Sequence, residues 1–310
     1  MLVPMSSNPP KKHHYTPQFL LAHWAIDEGK LWRFTKPYGD KVAKKRVAPA
    51  EIGYEKNLYA TPGLPPETMQ RIEEKIMSPL DALAADAYQL LLAGKVNAMP
   101  QKERSSWSRF IMSQWFRTPD GVEAMKQAMA ALLSMEDPVL GAKYQALKQD
   151  GYPETLEAAI AALNPNFAEQ AALEVMCKLM DNPKNGLRLN NMLWGVREIE
   201  GGHDLLVSDV LLQQSSGVFS PSGYITMPIA PRKYFFAVHS QPFAASLLSM
   251  KRNDLVSRAN RAVVRRAAHY VGATSLAQQA FIEAHFGQEE NALLVKGLAS
   301  KYADDAGSGS

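Results

Sequence analysis

From Pro65 to Asp181 the apolar residues return every three or four positions, and proline falls where a helix would begin. Thr118-Pro119 and Asn164-Pro165 each set a capping residue before a proline. That order starts a helix: the N-cap side chain accepts a free backbone N–H, and proline at the first helical position lacks a donor that would go unpaired anyway. The spacing predicts helices near 119–135 and 165–181, with a shorter one from Pro153 to Leu163. KERSSWSRFIMSQWFR reads as a core helix burying Trp107, Phe110, Ile111, Trp115 and Phe116. In TMQRIEEKIMSPLDALAADAYQLLLAG, Pro79 marks a break or restart. A helical middle of this length excludes regular βα alternation.

The flanks have a different texture. Thr16 as N-cap with Pro17 behind it predicts a short helix over QFLLAHWA, burying Phe19, Leu20 and Trp24. KLWRFT and KVAKKRVAPAEIG, joined by PYGD, read as an N-terminal β-hairpin. After NPKNG, the runs MLWGVREI, DLLVSD, GYITMPIAP and KYFFAVH are β-rich and split by glycine turns. Helices around 254–271 and 275–285 close the chain. The expected class is therefore α+β, a predominantly helical bundle with a hairpin and a second small antiparallel β region. No linker composition interrupts the 310 residues. Residues 1–12 read as a disordered leader, 13–303 as one α+β domain, and 304–310 as a flexible tail.

Charge and cysteine content narrow the functional classes. A net charge of +3 lacks the concentrated basic face of a dedicated nucleic-acid binder, although an acidic partner stays open. The lone Cys177 cannot close an internal disulfide and no Cys/His set has zinc spacing, so a reducing compartment is expected. Without an apolar leader or a membrane-length run, a cytoplasmic location with no membrane partner is expected, with export by an uncleaved route left open. HExxH, the phosphate-binding GxxxxGK, GxSxG and a GxGxxG after a strand are all missing.

Three features carry chemistry. His14 stands just before the helix expected at Pro17, whose N–H groups and dipole favour an anion such as phosphate, and an imidazole with an ordinary pKa of about 6.5 suits general acid–base work. The competing reading is a surface or packing histidine. Arg117 ends the aromatic helix, with Gln114 three residues earlier on the same face, a pair able to clamp phosphate or carboxylate. A C-terminal arginine answering its own helix dipole is the plainer account. Asp209 closes DLLVSD beside Ser208, a place for a ligand or metal contact or for a turn. HHYTP has the letters of the HHxxP of HNH nucleases, but helix follows at once and no further ligand has the required spacing.

HHYTPQFLLAHWA followed by KLWRFT resembles the HYxPQ opening of the bacterial proteins grouped as domain of unknown function 4238. SQWFRTP is similar to that family's Q-x-x-R-x-P helix end. MLWGVREI and DLLVSD resemble its tryptophan-containing strand and following "TSDNP" segment, MPIAP its "PLSP", and SRANRAVVRRAAHYVGA its late helix with an asparagine and small residues. The resemblance runs from about His13 to Ala273. It points to His14, Tyr15, Pro17, Gln18, Gln114, Arg117, Ser208, Asp209 and Asn260. After Asp209, VLL replaces the family's Asn-Pro. The family implies fold and positions, and no activity.

Together these residues suggest a phosphodiester or phosphoester hydrolase, a nuclease-like effector. His14 would be general acid or base, Arg117 and Gln114 would bind phosphate, and Asp209 would orient the imidazole or hold one divalent ion. Gln18, Ser208 and Asn260 join as substrate contacts, and Glu51 and Asp204 could supply a second carboxylate. No metal-ligand set is assigned. The alternative is a non-enzymatic module whose polar cluster binds a nucleotide, another anionic group or a protein tail. A third reading buries HHYTPQF as structure alone.

Overall fold

The computed structural model describes residues 11–135 and 137–290. The first ten residues of the expected leader, the whole of the expected tail and the last part of the expected domain lie outside them. Strand pairing begins at Lys12, inside the segment expected to be disordered: β1 (Lys12–His14) pairs antiparallel with β4 (Tyr54–Lys56). Between them come α1 (Gln18–Leu21), extended by a 3-10 turn at Ala22–Trp24, and the hairpin of β2 (Leu31–Tyr38) and β3 (Lys41–Val47). Pro17, not Thr16, occupies the N-cap of α1, and the helix has no side-chain cap.

The helical middle comprises α2 (Ser78–Leu92), α3 (Gln101–Gln114), α4 (Pro119–Ser134), α5 (Pro138–Leu147), α6 (Leu156–Leu163), α7 (Phe167–Met180) and α8 (Pro183–Asn190). A π-turn at Glu73–Met77 runs straight into α2, with Pro79 at its second position. Proline has no N–H for the turn before it, so a wider turn at this junction has a local cause. Capping explains most starts: Thr118, Thr155 and Asn182 accept N–H groups of Gly121, Ala158 and Asn185. At Asn164 the side chain accepts the N–H of Asn166 at 3.1 Å instead, delaying α7 to Phe167.

Then follow β5 (Leu193–Glu198), β6 (Val207–Ser208), β7 (Gln213–Gln214), β8 (Tyr224–Ala230), β9 (Lys233–Val238), α9 (Gln241–Ser249), α10 (Arg252–Arg266), β10 (Val271–Ala273) and α11 (Gln279–His285). The chain is α+β, with small antiparallel sheets beside a largely helical body. The β regions are not divided as the letters suggest. β6 and β10 join the N-terminal hairpin in a sheet ordered β3-β2-β10-β6, while β5-β9-β8-β7 forms the other. DLLVSD contributes only two strand residues, and the helix expected to 271 stops at Arg266 so that β10 can enter the sheet.

That first sheet is covered on both faces. Phe34 and Val271 pack with Val263, Val264, Ile282 and Phe286, while Leu31, Val47 and Val207 face the main core. Trp107, Phe110 and Ile111 of α3 and Tyr88 of α2 fill that core against Phe235 and Ile225 of the second sheet, and Phe116 packs with α4 and α7. Trp115 is only partly buried. Gly272 answers a close approach, because a Cβ there would lie 2.7 Å from Val207 Cγ1 and 3.0 Å from Leu31 Cδ1.

Candidate functional site

Strand alternation separates the two histidines. His13 faces inward with no exposed surface; its Nδ1 accepts the backbone N–H of Tyr59 at 2.9 Å, and its ring stacks on that tyrosine at 5.4 Å. His14 lies on the opposite face, paired across the ribbon with Tyr54, while Lys12 pairs with Lys56. His14 therefore sits at the end of a strand, four residues before a one-turn helix, rather than against a long helix N-terminus. Gly53 shapes the exit. Its carbonyl accepts the N–H groups of Tyr15 and Thr16 at 2.9 and 3.0 Å, its φ is +69°, and a Cβ would meet Thr16 Cβ at 2.8 Å.

Arg117 is fully buried. Nη1 and Nη2 donate to the two carboxylate oxygens of Asp81 at 2.7 and 2.9 Å, and Nη2 also donates to the carbonyl of His14 at 2.7 Å. Tyr59 donates its hydroxyl to the Arg117 carbonyl at 2.6 Å. Burial opposes the guanidinium charge, but the Asp81 carboxylate outweighs it and holds the group cationic above its usual range. Gln114 reaches this group only through Ser113, whose Oγ accepts from Gln114 Nε2 at 3.3 Å and lies 3.5 Å from Arg117 Nη1. Asp81 is the member that no sequence pattern announces, since nothing links positions 81 and 117 until the helices pack.

The His14 imidazole is half-buried and bonds the Ala50 backbone, while its Nε2 is shielded from solvent with no hydrogen-bond partner among the described residues. Its pKa falls to about 4, first because burial disfavours the charged ring, with Asp81 opposing and Arg117 and Lys12 adding to the fall. At neutral pH it is an uncharged imidazole. On the exposed side, Lys12 Nζ lies 4.4 Å above the Tyr54 ring.

Asp209 is 3% exposed and accepts the backbone N–H groups of Ala268 and Tyr270, both at 3.1 Å. Burial raises its pKa, with His269 opposing. The nearby His269 stands 3.4 Å from Asp120, and its ring is 6.1 Å from that of Tyr15. Asp209 also acts on Tyr15, whose burial raises its hydroxyl well above the usual range. The segment His14–Thr16 thus runs between two polar groups, Arg117–Asp81 and Asp209–His269. The structure brings His14 and Arg117 together and joins Asp209 to them only through Tyr15.

The other candidates take separate positions. Ser208 is buried and bonds the carbonyls of Val210 and Val263 at 3.2 and 3.3 Å. Asn260 is buried, accepts the N–H of Leu206 at 2.9 Å and donates to the Asp204 carbonyl at 2.8 Å. Asp204 itself is engaged by Arg232 at 2.7 Å and by Thr274. Gln18 is exposed. Glu51 is exposed too, and accepts the Ala48 N–H at 2.9 Å. Among the described residues, no three His, Cys, Asp or Glu side chains converge as a metal site. A hollow of about 610 Å³ between α4 and residues 266–268 and 286–290 is lined by Asp120 but by none of the candidates.

The family model described as Protein of unknown function (DUF4238) matches residues 12–275. The chain belongs to that family. No curated protein and no solved structure matches it. Among the described residues, no helix is long and apolar enough to cross a membrane.

Proposed function

We propose that this DUF4238 protein binds a phosphate-bearing ligand, a nucleotide or nucleic-acid segment, on the outer face of the β1–β4 ribbon. One observation carries the reading: the register sets Lys12 directly opposite Lys56 beside His14 and Tyr54, all on one face. Like charges directly opposite each other cost stability, and a polyanion relieves that cost. Lys45, Lys12 and Arg33 also act together on Glu51, while the ribbon's own carboxylate, Glu55, pairs with His13 on the other face. Lysines on β3 serve to blunt an edge strand as well, so the reading rests on Lys12 and Lys56. Arg117 and Asp209, both out of solvent, support the segment that carries His14 rather than touching ligand.

A hydrolase remains a second reading, favoured by the unpaired Nε2 of a neutral His14. A base titrating so far below neutrality is inefficient, and a bound phosphate dianion would draw its pKa upward. Burial lifts the Cys177 thiol to about 11, so it stays protonated and a poor nucleophile at neutral pH.

Fluorescence anisotropy with a labelled single-stranded oligonucleotide, and calorimetry with ATP, test the binding. Lys12→Glu and Lys56→Glu should each weaken saturable binding about tenfold and lower the salt slope by about one. Binding of neither probe by the parent, or unchanged binding by both variants, overturns the proposal. Turnover of a chromogenic phosphodiester that disappears in folded His14→Ala would support the second reading; an inert parent ends it.

A further inference from the structure

The π-turn before α2 buries a carboxyl group that the phosphate site does not use. Glu73 is 8% exposed, and its Oε1 accepts the hydroxyl of Ser78 at 3.0 Å. Oε2 is sealed from solvent with no hydrogen-bond partner among the described residues. The charged and titratable groups that act on it are Arg117 at the end of α3, Asp81 on α2 and Tyr59 on the loop after β4. Arg117 is the cation of this group, and both its Nη atoms are taken by Asp81 and the His14 carbonyl. Tyr59 is neutral, since burial raises its hydroxyl beyond the usual range.

Two carboxyl groups therefore depend on one guanidinium: Asp81 holds both Nη atoms, and Arg117 Nε is buried with no hydrogen-bond partner among the described residues. An ionised Glu73 would add a second anion, with one oxygen bare, against a single cation, which burial disfavours. We propose that Glu73, Asp81 and Arg117 form a buried proton-binding site, in which Glu73 takes up a proton more readily than an exposed glutamate and its ionisation loosens the His14 segment by competing for Arg117. The site needs no ligand at the ribbon and stands whether or not phosphate binds there.

The expected pH dependence has a definite sign. Burial raises the Glu73 pKa above the ordinary glutamate value. Its contribution to stability is then complete below that ordinary value and is lost as pH rises through the raised one. Infrared difference spectroscopy between pH 5 and pH 9, comparing the protein with Glu73→Gln, reads the proton directly. The parent should keep a protonated-carboxyl C=O band above the pH at which an exposed glutamate ionises, a band that Glu73→Gln lacks, and chemical denaturation should find the variant's midpoint falling less steeply than the parent's as pH rises toward 9. Ser78→Ala, which removes a hydrogen bond favouring the ionised form, should move the loss of the band to higher pH. A parent whose carboxyl bands all disappear by the pH at which exposed glutamates and Asp209 ionise overturns the proposal even if Glu73→Gln does not fold. So does a Glu73→Gln variant that keeps the band or the parent's alkaline slope.

Discussion

Arg117 was expected as a phosphate contact at the end of the aromatic helix, and the structure buries it completely. Its position at the end of an aromatic helix is visible in QWFRTP, yet its guanidinium is turned inward onto Asp81 and the His14 carbonyl. Breaking a buried pair by removing one partner leaves the other charge uncompensated. Arg117→Ala should therefore lower unfolding stability by roughly 3–5 kcal/mol, measured by denaturant titration, whereas Arg117→Met combined with Asp81→Leu should recover most of it. A double variant no more stable than Arg117→Ala would mean that the His14 carbonyl contact, not the ion pair, dominates. The histidine pair divides in the same way. Adjacent letters look equivalent, but strand alternation makes His13 a buried acceptor for Tyr59 and leaves His14 facing the ribbon.

Helix starts are the most legible of the elements, because a capping side chain and a proline act within four residues of chain. The same signature stands at Asp137-Pro138 and Asn182-Pro183, where it opens α5 and α8, helices that the apolar period alone does not announce. The strands are less legible. β6 and β10 are two and three residues long, too short for any period to register, and they gain their ladder from each other and from β2. At the β1 exit, Gly53 is needed for its positive φ and for closeness to Thr16. Gly53→Ala should cost about 1–3 kcal/mol through backbone strain and crowding, and should raise hydrogen exchange at the Tyr15 and Thr16 amides. Unchanged protection there would show that the turn has room to relax.

Across the whole molecule, order is unevenly shared. The main core draws on α2, α3 and both four-stranded sheets, whereas α5 has no buried residue, and Leu147 and Leu163 are 80% and 81% exposed. A segment with few buried apolar contacts opens at low cost. Limited proteolysis followed by mass spectrometry should find, among the described residues, the first cuts between residues 138 and 163, before any within α2 or α3. Early cleavage in α3 would contradict this ranking.

Local chemistry, carried within a turn or two of backbone, was enough for the sequence to determine the helical middle, the start of α4 at Thr118-Pro119, the N-terminal hairpin and the family to which the chain belongs. Tertiary structure alone decided that β6 and β10 complete the hairpin's sheet, that Asp81 neutralises Arg117, and that Asp209 is turned to the backbone of 268–270. Each of those choices depends on groups far apart in sequence meeting in a low-dielectric interior, where an unpaired charge or amide is too costly to leave, and no local pattern of letters encodes which distant partner will be within reach.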